Sequence, residues 1–306
     1  MTQKSVVITG ASTGIGKACA LWMDRAGWRV FAGVRKAADG DALRAEASER
    51  LTPVLVDVTD GASIAAMAVE VTAAVGEEGL HGLVNNAGMA TGGVLEFVDL
   101  NELRRVLEVN VTGQLAVTQP LIPLLRQARG RIVMMSSMAG FSSTPMNGLY
   151  AASKHALEAI TDGLRLELHP WGIHVSSIQP GRIATPIWGK ALSLAEDVVP
   201  TYPPKAIELY GPLIEALFHS LGKTKGISAD AVAAAVFHAL TAPTPKTRYV
   251  VGPDAKMRMW IEKLPDRLRD RVMIGRMPKY GGGADFSSSS QPITTTEQSL
   301  PRCGGG

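Results

Sequence analysis

The chain is short of the residues that staple small folds together. It has two cysteines in 306 residues, Cys19 and Cys303, far apart. That spacing excludes a disulfide framework and a thiolate zinc site, and it suits a reducing, cytoplasmic compartment. The formal net charge is only +3, and the basic residues are dispersed, so no stripe for nucleic acid is laid down. No uninterrupted apolar run approaches the roughly 18 residues of a membrane span, which leaves no transmembrane segment to expect. Met1 to Lys4 lead at once into an apolar strand-like run, with no room for a signal peptide. Internal repeats are also lacking.

What is present is a hydrophobic fraction of 46% against 19% charged, enough to bury one sizeable core with extensions. Ser5 to Thr9 is a β-branched, nearly all-apolar run of the kind buried on both faces of a parallel sheet. Gly10-Ala11-Ser12-Thr13-Gly14-Ile15-Gly16 follows directly. Lys17 to Ala26 then has helical apolar spacing, and Gly27 ends it. A glycine loop alone is a tight turn; between a strand and a helix it is a phosphate cradle, because backbone N–H groups and the helix N-terminus face one anion.

Trp28 to Val34 reads as a second strand, ending in Val34-Arg35 where many NAD-binding folds have an acid for the ribose 2′-hydroxyl. A guanidinium there suits a 2′-phosphate, so Arg35 favours NADP, with NAD as the alternative. Pro53 to Asp57 is a third strand, Ala62 to Val75 a helix, and Leu80 to Val84 a fourth strand opening into Asn85-Asn86-Ala87-Gly88. Leu100 to Arg126 reads as one long helix, despite Asn110 in its middle and Pro120 and Pro123 late. Arg131 to Met135 is a fifth strand, followed by Ser136-Ser137. A helix from Tyr150 to about Leu168 and a strand from His174 to Ile178, closed by Pro180-Gly181, complete an alternation that implies a doubly wound parallel sheet. Ligands then belong at the carboxyl ends of the strands.

The stretch Tyr150-Ala151-Ala152-Ser153-Lys154 puts a phenol and an ammonium on one helical face. A Lys charge nearby would favour the phenolate and bring the tyrosine into useful range for proton transfer. His155, adjacent in the helix, diverges by about 100° and faces elsewhere; His169 and His174 read as surface or loop residues. From Ile187 to Lys225 the pattern loosens into short apolar helical pieces with Pro200, Pro203 and Pro204, as a lid would. Ala229 to Leu240 is a helix and Arg248 to Val251 the last strand. Beyond them come two basic amphipathic pieces, Lys256 to Lys263 and Arg267 to Met273, which pack on their own domain or touch a membrane surface peripherally. The expected organisation is residues 1–253 as one catalytic domain with a lid over 186–227, a helical extension over 254–280, and a disordered tail over 281–306, rich in Gly, Ser and Thr.

Together, Thr9-Gly10-x-x-x-Gly14-x-Gly16, Asn85-Asn86-Ala87-Gly88, Asn110, Ser137, Tyr150-x-x-x-Lys154 and Pro180-Gly181-x-x-x-Thr185 resemble the short-chain dehydrogenase/reductase family, over about Ser5 to Val251. From Tyr150 to Ile187 the likeness is to the branch with 17β-hydroxysteroid and retinol dehydrogenases. The resemblance implies a single Rossmann-type domain and hydride transfer with NADP. Tyr150 would be the acid/base, Lys154 would lower its pKa and bond the nicotinamide ribose, Ser137 would hold the substrate oxygen, and Asn110 would hold a water linking Lys154 to solvent. It also implies a cofactor site of Gly10, Ser12, Gly14, Ile15 and Gly16 at the pyrophosphate, Asp57 at the adenine, Asn86 near the adenosine ribose, and Pro180, Ile183 and Thr185 near the carboxamide. No metal is expected.

Met89, Val94, Met138, Phe141, Met146, Leu149, Trp188 and Leu192 would line an apolar pocket for a steroid-, retinoid- or long-chain-like substrate. Arg182 leaves a small hydroxy acid as the alternative, and a non-catalytic dinucleotide sensor is the other. A homodimer or homotetramer is expected from apolar stripes such as Ala156, Ile160 and Leu164.

Overall fold

The computed structural model describes residues 3–184, 201–223, 226–275 and 277, over 217–223 as main chain only. Seven parallel strands form its centre: β1 Ser5–Ile8, β2 Arg29–Val34, β3 Leu51–Leu55, β4 Gly82–Asn85, β5 Arg131–Met135, β6 His174–Pro180 and β7 Arg248–Val251. They lie in the order β3-β2-β1-β4-β5-β6-β7. The order reverses between β1 and β4, and a reversal of this kind opens a crevice at the carboxyl ends of the strands. Alternation along β1 fills both faces. Val7 joins Phe31, Leu83 and Ile132 in the layer under α3 (Gly61–Val75), α5 (Gly113–Ala128) and α6 (Gly148–Glu167). Val6 and Ile8 join Val84 and Val133 in the layer under α1 (Gly14–Arg25) and α8 (Ala229–Thr241).

Several elements depart from the sequence expectation. The third strand lies two residues earlier, at Leu51–Leu55, with Pro53 inside it. Proline is tolerated there because β3 is the sheet's edge. Asp57 therefore sits in the turn before α3, not at a strand end. A short helix, α2 (Ala37–Arg44), follows β2 where the sequence pattern marks none. The expected long helix is divided into α4 (Leu100–Leu107), a π-turn (Glu108–Thr112) and α5. Pro120 and Pro123 lie inside α5 on its exposed side, where water can hydrate the carbonyls they leave without donors.

The expected loose lid contains one continuous helix, α7 (Pro204–Lys223). Pro204 suits its first turn, and Ala206, Leu213 and Ile214 form a buried stripe with Tyr202, Val94 and Met146. Two further helices, α9 (Pro253–Ile261) and α10 (Asp266–Ile274), make up the extension. The stripe taken as an oligomer face is turned inward: Leu164 is core, Ile160 packs against it and Ala156 is half-buried. The sheet face is wide enough to cover it. The exposed leucine of α6 is Leu166. Among the described residues no helix is long and apolar enough to cross a membrane. The lid residues 185–200, Trp188 and Leu192 included, and the tail lie outside the described residues, as does Thr185.

Candidate active site

The glycine loop is built by sterics. Gly10 and Gly14 have φ of +64° and +58°, a region that L side chains enter at a cost of about 1–2 kcal/mol. A Cβ on Gly16 would run into the Gly10 carbonyl and Asn86 Nδ2. Asn86 fixes the loop from β4: its Nδ2 donates to the carbonyls of Thr9 at 2.9 Å and Gly10 at 3.1 Å. The Thr9 hydroxyl in turn accepts from the N–H groups of Asn86 and Ala87, both at 2.9 Å. Thr13 precedes α1 without a side-chain cap, and no acid stands in the first turn. That N-terminus presents N–H groups and the positive end of the helix dipole to the crevice, so these residues fit a pyrophosphate. Ser12 and Ile15 are half-buried beside it, and Ile15 packs on the core.

An exposed Arg35 stands just past β2, and a half-buried Asp57 in the turn between β3 and α3. The Asp57 carboxylate accepts from Thr59 N at 2.9 Å and Thr59 Oγ1 at 2.7 Å. These bonds, with the nearby charge of Arg35, hold it below the usual carboxylate range. At the end of β6, Pro180 is buried, Gly181 N donates to Val251 O at 2.8 Å and Arg182 N donates to Asp254 at 2.7 Å. Ile183 is in the core, so its main chain is what it can offer to a ligand.

Across the crevice, α6 starts at Gly148 and brings Tyr150 and Lys154 beneath the end of β5. Lys154 Nζ donates to Met135 O at 2.8 Å and lies 5.7 Å from the Tyr150 ring centroid. The Ser137 hydroxyl, on the turn after β5, is close enough to act on the Tyr150 phenol. Asn110, in the π-turn, is fully buried. Its Oδ1 accepts from Met89 N at 2.9 Å, and its Nδ2 donates to Met89 O at 2.9 Å and Ser153 Oγ at 3.0 Å. The amide thus ties the loop after β4 to α6. Behind it, Gln114 donates to Ala87 O and Asn85 to Thr118 Oγ1.

The electrostatics differ from the expectation that Lys154 lowers the Tyr150 pKa. Burial pushes the Tyr150 phenol up to about 12, and the influence opposing it is the bond to Ser137. Burial also pulls the Lys154 ammonium down to about 8, against the charge of Glu158. Desolvation disfavours the charged form of both groups, and it is the larger influence on each. His155 is exposed and bonded to Ala151 O at 2.8 Å, away from Lys154. His169 lies in the turn after α6, and His174 is exposed at the start of β6.

One wall of the crevice is apolar. Val94 and Met146 pack with Tyr202, Leu213 and Ile214, and Tyr202 OH accepts from Val94 N at 3.1 Å. Met146 has φ of +62°, a strained value for a side chain of its size. Among the described residues, three or more metal-ligating groups nowhere gather. A cavity of about 170 Å³ bounded by Lys4, Trp28, His81, Arg129 and Arg131 lies at the opposite, amino end of the strands.

The family model described as short chain dehydrogenase matches residues 4–194. The chain is 37% identical over 281 residues to an NADPH-dependent 3-dehydrocapnine reductase of Ornithobacterium rhinotracheale, covering 89% of this chain and 97% of that one. It is 36% identical over 287 residues to 17-beta-hydroxysteroid dehydrogenase type 6 of Bos taurus (91% and 90% covered). It is also 36% identical over 286 residues to retinol dehydrogenase 5 of Mus musculus (90% and 89%). A crystal structure of a short chain dehydrogenase from Burkholderia cenocepacia in complex with NADP superposes with a TM-score of 0.69 at 25% identity, covering 90% of this chain and 98% of that one.

Proposed function

The chain belongs to the short-chain dehydrogenase/reductase family, and from that premise we propose that it transfers a hydride between NADP and an apolar alcohol or ketone of steroid, retinoid or long-chain type. The observation that carries the reading is the convergence of Ser137, Tyr150 and Lys154 opposite a glycine cradle at the sheet's reversal point. Gly10, Ser12, Gly14, Ile15 and Gly16 hold the pyrophosphate, Arg35 the 2′-phosphate, Asp57 the adenine, and Asn86 the adenosine side, chiefly by fixing the loop. Pro180 and the main chain of Ile183 border the nicotinamide. The bound cofactor supplies or takes up the hydride.

Ser137 holds the substrate oxygen against Tyr150, which gives that oxygen a proton in reduction and takes it back in oxidation. A neutral phenol suits the first role. Lys154 supplies a positive charge beside the phenol and bonds the ribose, while Asn110 keeps α6 and the Met89 loop in register. The apolar wall of Val94 and Met146 suits a hydrophobic substrate, whose burial contributes roughly 25 cal/mol per Å² of apolar area. The relatives named for NADPH and for steroid and retinol substrates support the same assignment. A cytosolic homodimer or homotetramer goes with it, through the exposed Leu100 and Leu166 of α4 and α6; a concentration-independent monomer mass in solution scattering removes that part.

The test is consumption of NADPH, and formation of it from NADP, with a panel of steroids, retinoids, long-chain carbonyls and small hydroxy acids. Turnover on the neutral apolar members is expected. Turnover confined to the hydroxy acids would sink the hydrophobic-substrate reading.

A further inference from the structure

One helical turn beyond Lys154, α6 carries Glu158, 7% exposed. A carboxylate at that depth is costly unless it is paired and hydrogen-bonded, and here each oxygen is engaged. Oε1 accepts from Ser177 Oγ at 2.5 Å and Gln179 Nε2 at 2.9 Å, both on β6. Oε2 accepts from Arg248 Nε at 3.1 Å, at the start of β7. The turn after Ser137 lies against it as well, since a Cβ on Gly140 would stand 3.0 Å from Glu158 Cγ. Every one of these partners is a donor, which is the environment of an ionised carboxylate. Arg248 divides its guanidinium between Glu158 and Asp162, the latter at 2.6 Å, and Asp162 also meets Arg165 at 3.1 Å.

We propose that Glu158 is a positioning residue of this site, the counter-charge of the Lys154 ammonium and the hub joining α6 to the turn of Ser137 and to the strand that ends at Pro180. The inference rests on the dehydrogenase reading for its consequence in catalysis, but not for its electrostatics. At (i, i+4) spacing Glu158 and Lys154 share a face of α6, and the carboxylate opposes the desolvation that draws the ammonium toward neutrality. Tyr150 and Glu158 flank Lys154 on its own helix, with Arg248 of β7 bonded to Glu158 and Asp162 bonded to Arg248 behind it. The π-turn, β5 and β6 bring Asn110, the Met135 carbonyl, Ser177 and Gln179, none of which titrates. Since Arg248 is shared, Glu158 is left with negative charge to act on Lys154.

Titration of Lys154 by NMR in protein carrying ¹³C-labelled lysine, assigned with Lys154→Arg, reads this directly. Glu158→Gln keeps a hydrogen-bonding side chain of the same size and removes the charge, so the Lys154 titration should move down by about one pH unit. The alkaline limb of kcat/KM should move with it. Arg248→Gln should move both upward, by uncovering the carboxylate. A role confined to packing would lower turnover evenly at all pH values with the titration in place. That result, or shifts of the same sign in both variants, or a titration shift that the alkaline limb does not follow, overturns the proposal. If Glu158→Gln does not fold, the upward shift in Arg248→Gln decides alone, and its absence is fatal. Opposite titration shifts in a protein that turns over no substrate at all would overturn the dehydrogenase reading and leave the counter-charge standing.

Discussion

On either side of the reversal between β1 and β4, the two halves of the crevice hold their polar groups by different means. The β1–β3 side is made of backbone: Gly10 and Gly14 at positive φ, Gly16 without room for a Cβ, an uncapped helix N-terminus, and Asn86 bonding two main-chain carbonyls. Its charges, Arg35 and Asp57, stand at or near the surface. The β5–β7 side is made of buried side chains, with Lys154, Glu158, Asn110 and Ser153 each less than a tenth exposed and bonded to one another's neighbours. A backbone cradle tolerates little change in shape but holds no buried charge. A side-chain network can shift proton affinities, at the cost of desolvation.

The comparison breaks most sharply at Tyr150. Tyr150→Phe keeps the ring and removes the proton, so turnover should fall by about two orders of magnitude or more. NADPH affinity, read by fluorescence, should stay within about twofold because the cradle lies on the other half. Retained turnover would remove Tyr150 from its role; lost binding would show the halves to be one unit.

Gly16→Ala attacks the other half. The added methyl must displace the Gly10 carbonyl or the Asn86 amide, and neither can move without loosening the other. About a tenfold or greater loss of NADPH affinity is expected, with a lower melting temperature in the absence of cofactor. Wild-type affinity in this variant would show that the cradle does not hold the pyrophosphate.

A smaller change sharpens the picture of that half. Arg35→Ala should weaken NADP by roughly tenfold and NAD by less than about twofold, since a charge-assisted bond to a 2′-phosphate is open to one cofactor only. Equal losses for both would make Arg35 a solvated residue with no part in selecting the cofactor.

The difference between the halves also governs what could be read from the sequence. The cradle is local: Gly10, Gly14, Gly16 and the flanking strand and helix are contiguous, so spacing alone displays them. Tyr150 and Lys154 are legible for the same reason, being one helical turn apart. Asn110 stood out as a polar residue in mid-helix, but the π-turn that aims it at Met89 and Ser153 depends on packing between α4, α5 and α6, which no local pattern encodes. The single helix α7 was hidden by its prolines, of which Pro203 and Pro204 mark its start. Leu164 belongs to an apolar stripe in the sequence, but periodicity tells that a face is apolar without telling what covers it. Glu158 could have been found by extending the Tyr150–Lys154 spacing one more turn, but its partners on β6 and β7 are distant in sequence. The sign of the Tyr150 shift was out of reach too, since it is set by depth of burial and not by the neighbouring charge.

The smallest expected effect tests whether only the catalytic half carries a desolvation cost. Burial lowers Lys154 from its ordinary range to about 8 in the folded chain, while the unfolded chain keeps the ordinary value near 10.4. Between those values the unfolded state binds more protons, so this residue makes stability rise with pH across that window; below about pH 8 its penalty is present in full. Lys154→Met fills similar volume without the charge. In the absence of cofactor at pH 7 it should melt higher than the parent chain by a few degrees, on the order of 2 °C per kcal/mol for a domain of this size. The gap should shrink as pH approaches 10, where the folded parent's lysine is already neutral and the unfolded chain's is beginning to lose its proton. Losing the bond to Met135 O acts the other way and does not depend on pH until the lysine titrates. A variant that melts lower than the parent at pH 7, by a margin unchanged at pH 10, would mean that this bond outweighs the desolvation. The two halves would then differ in how they were legible, and not in what they cost the fold.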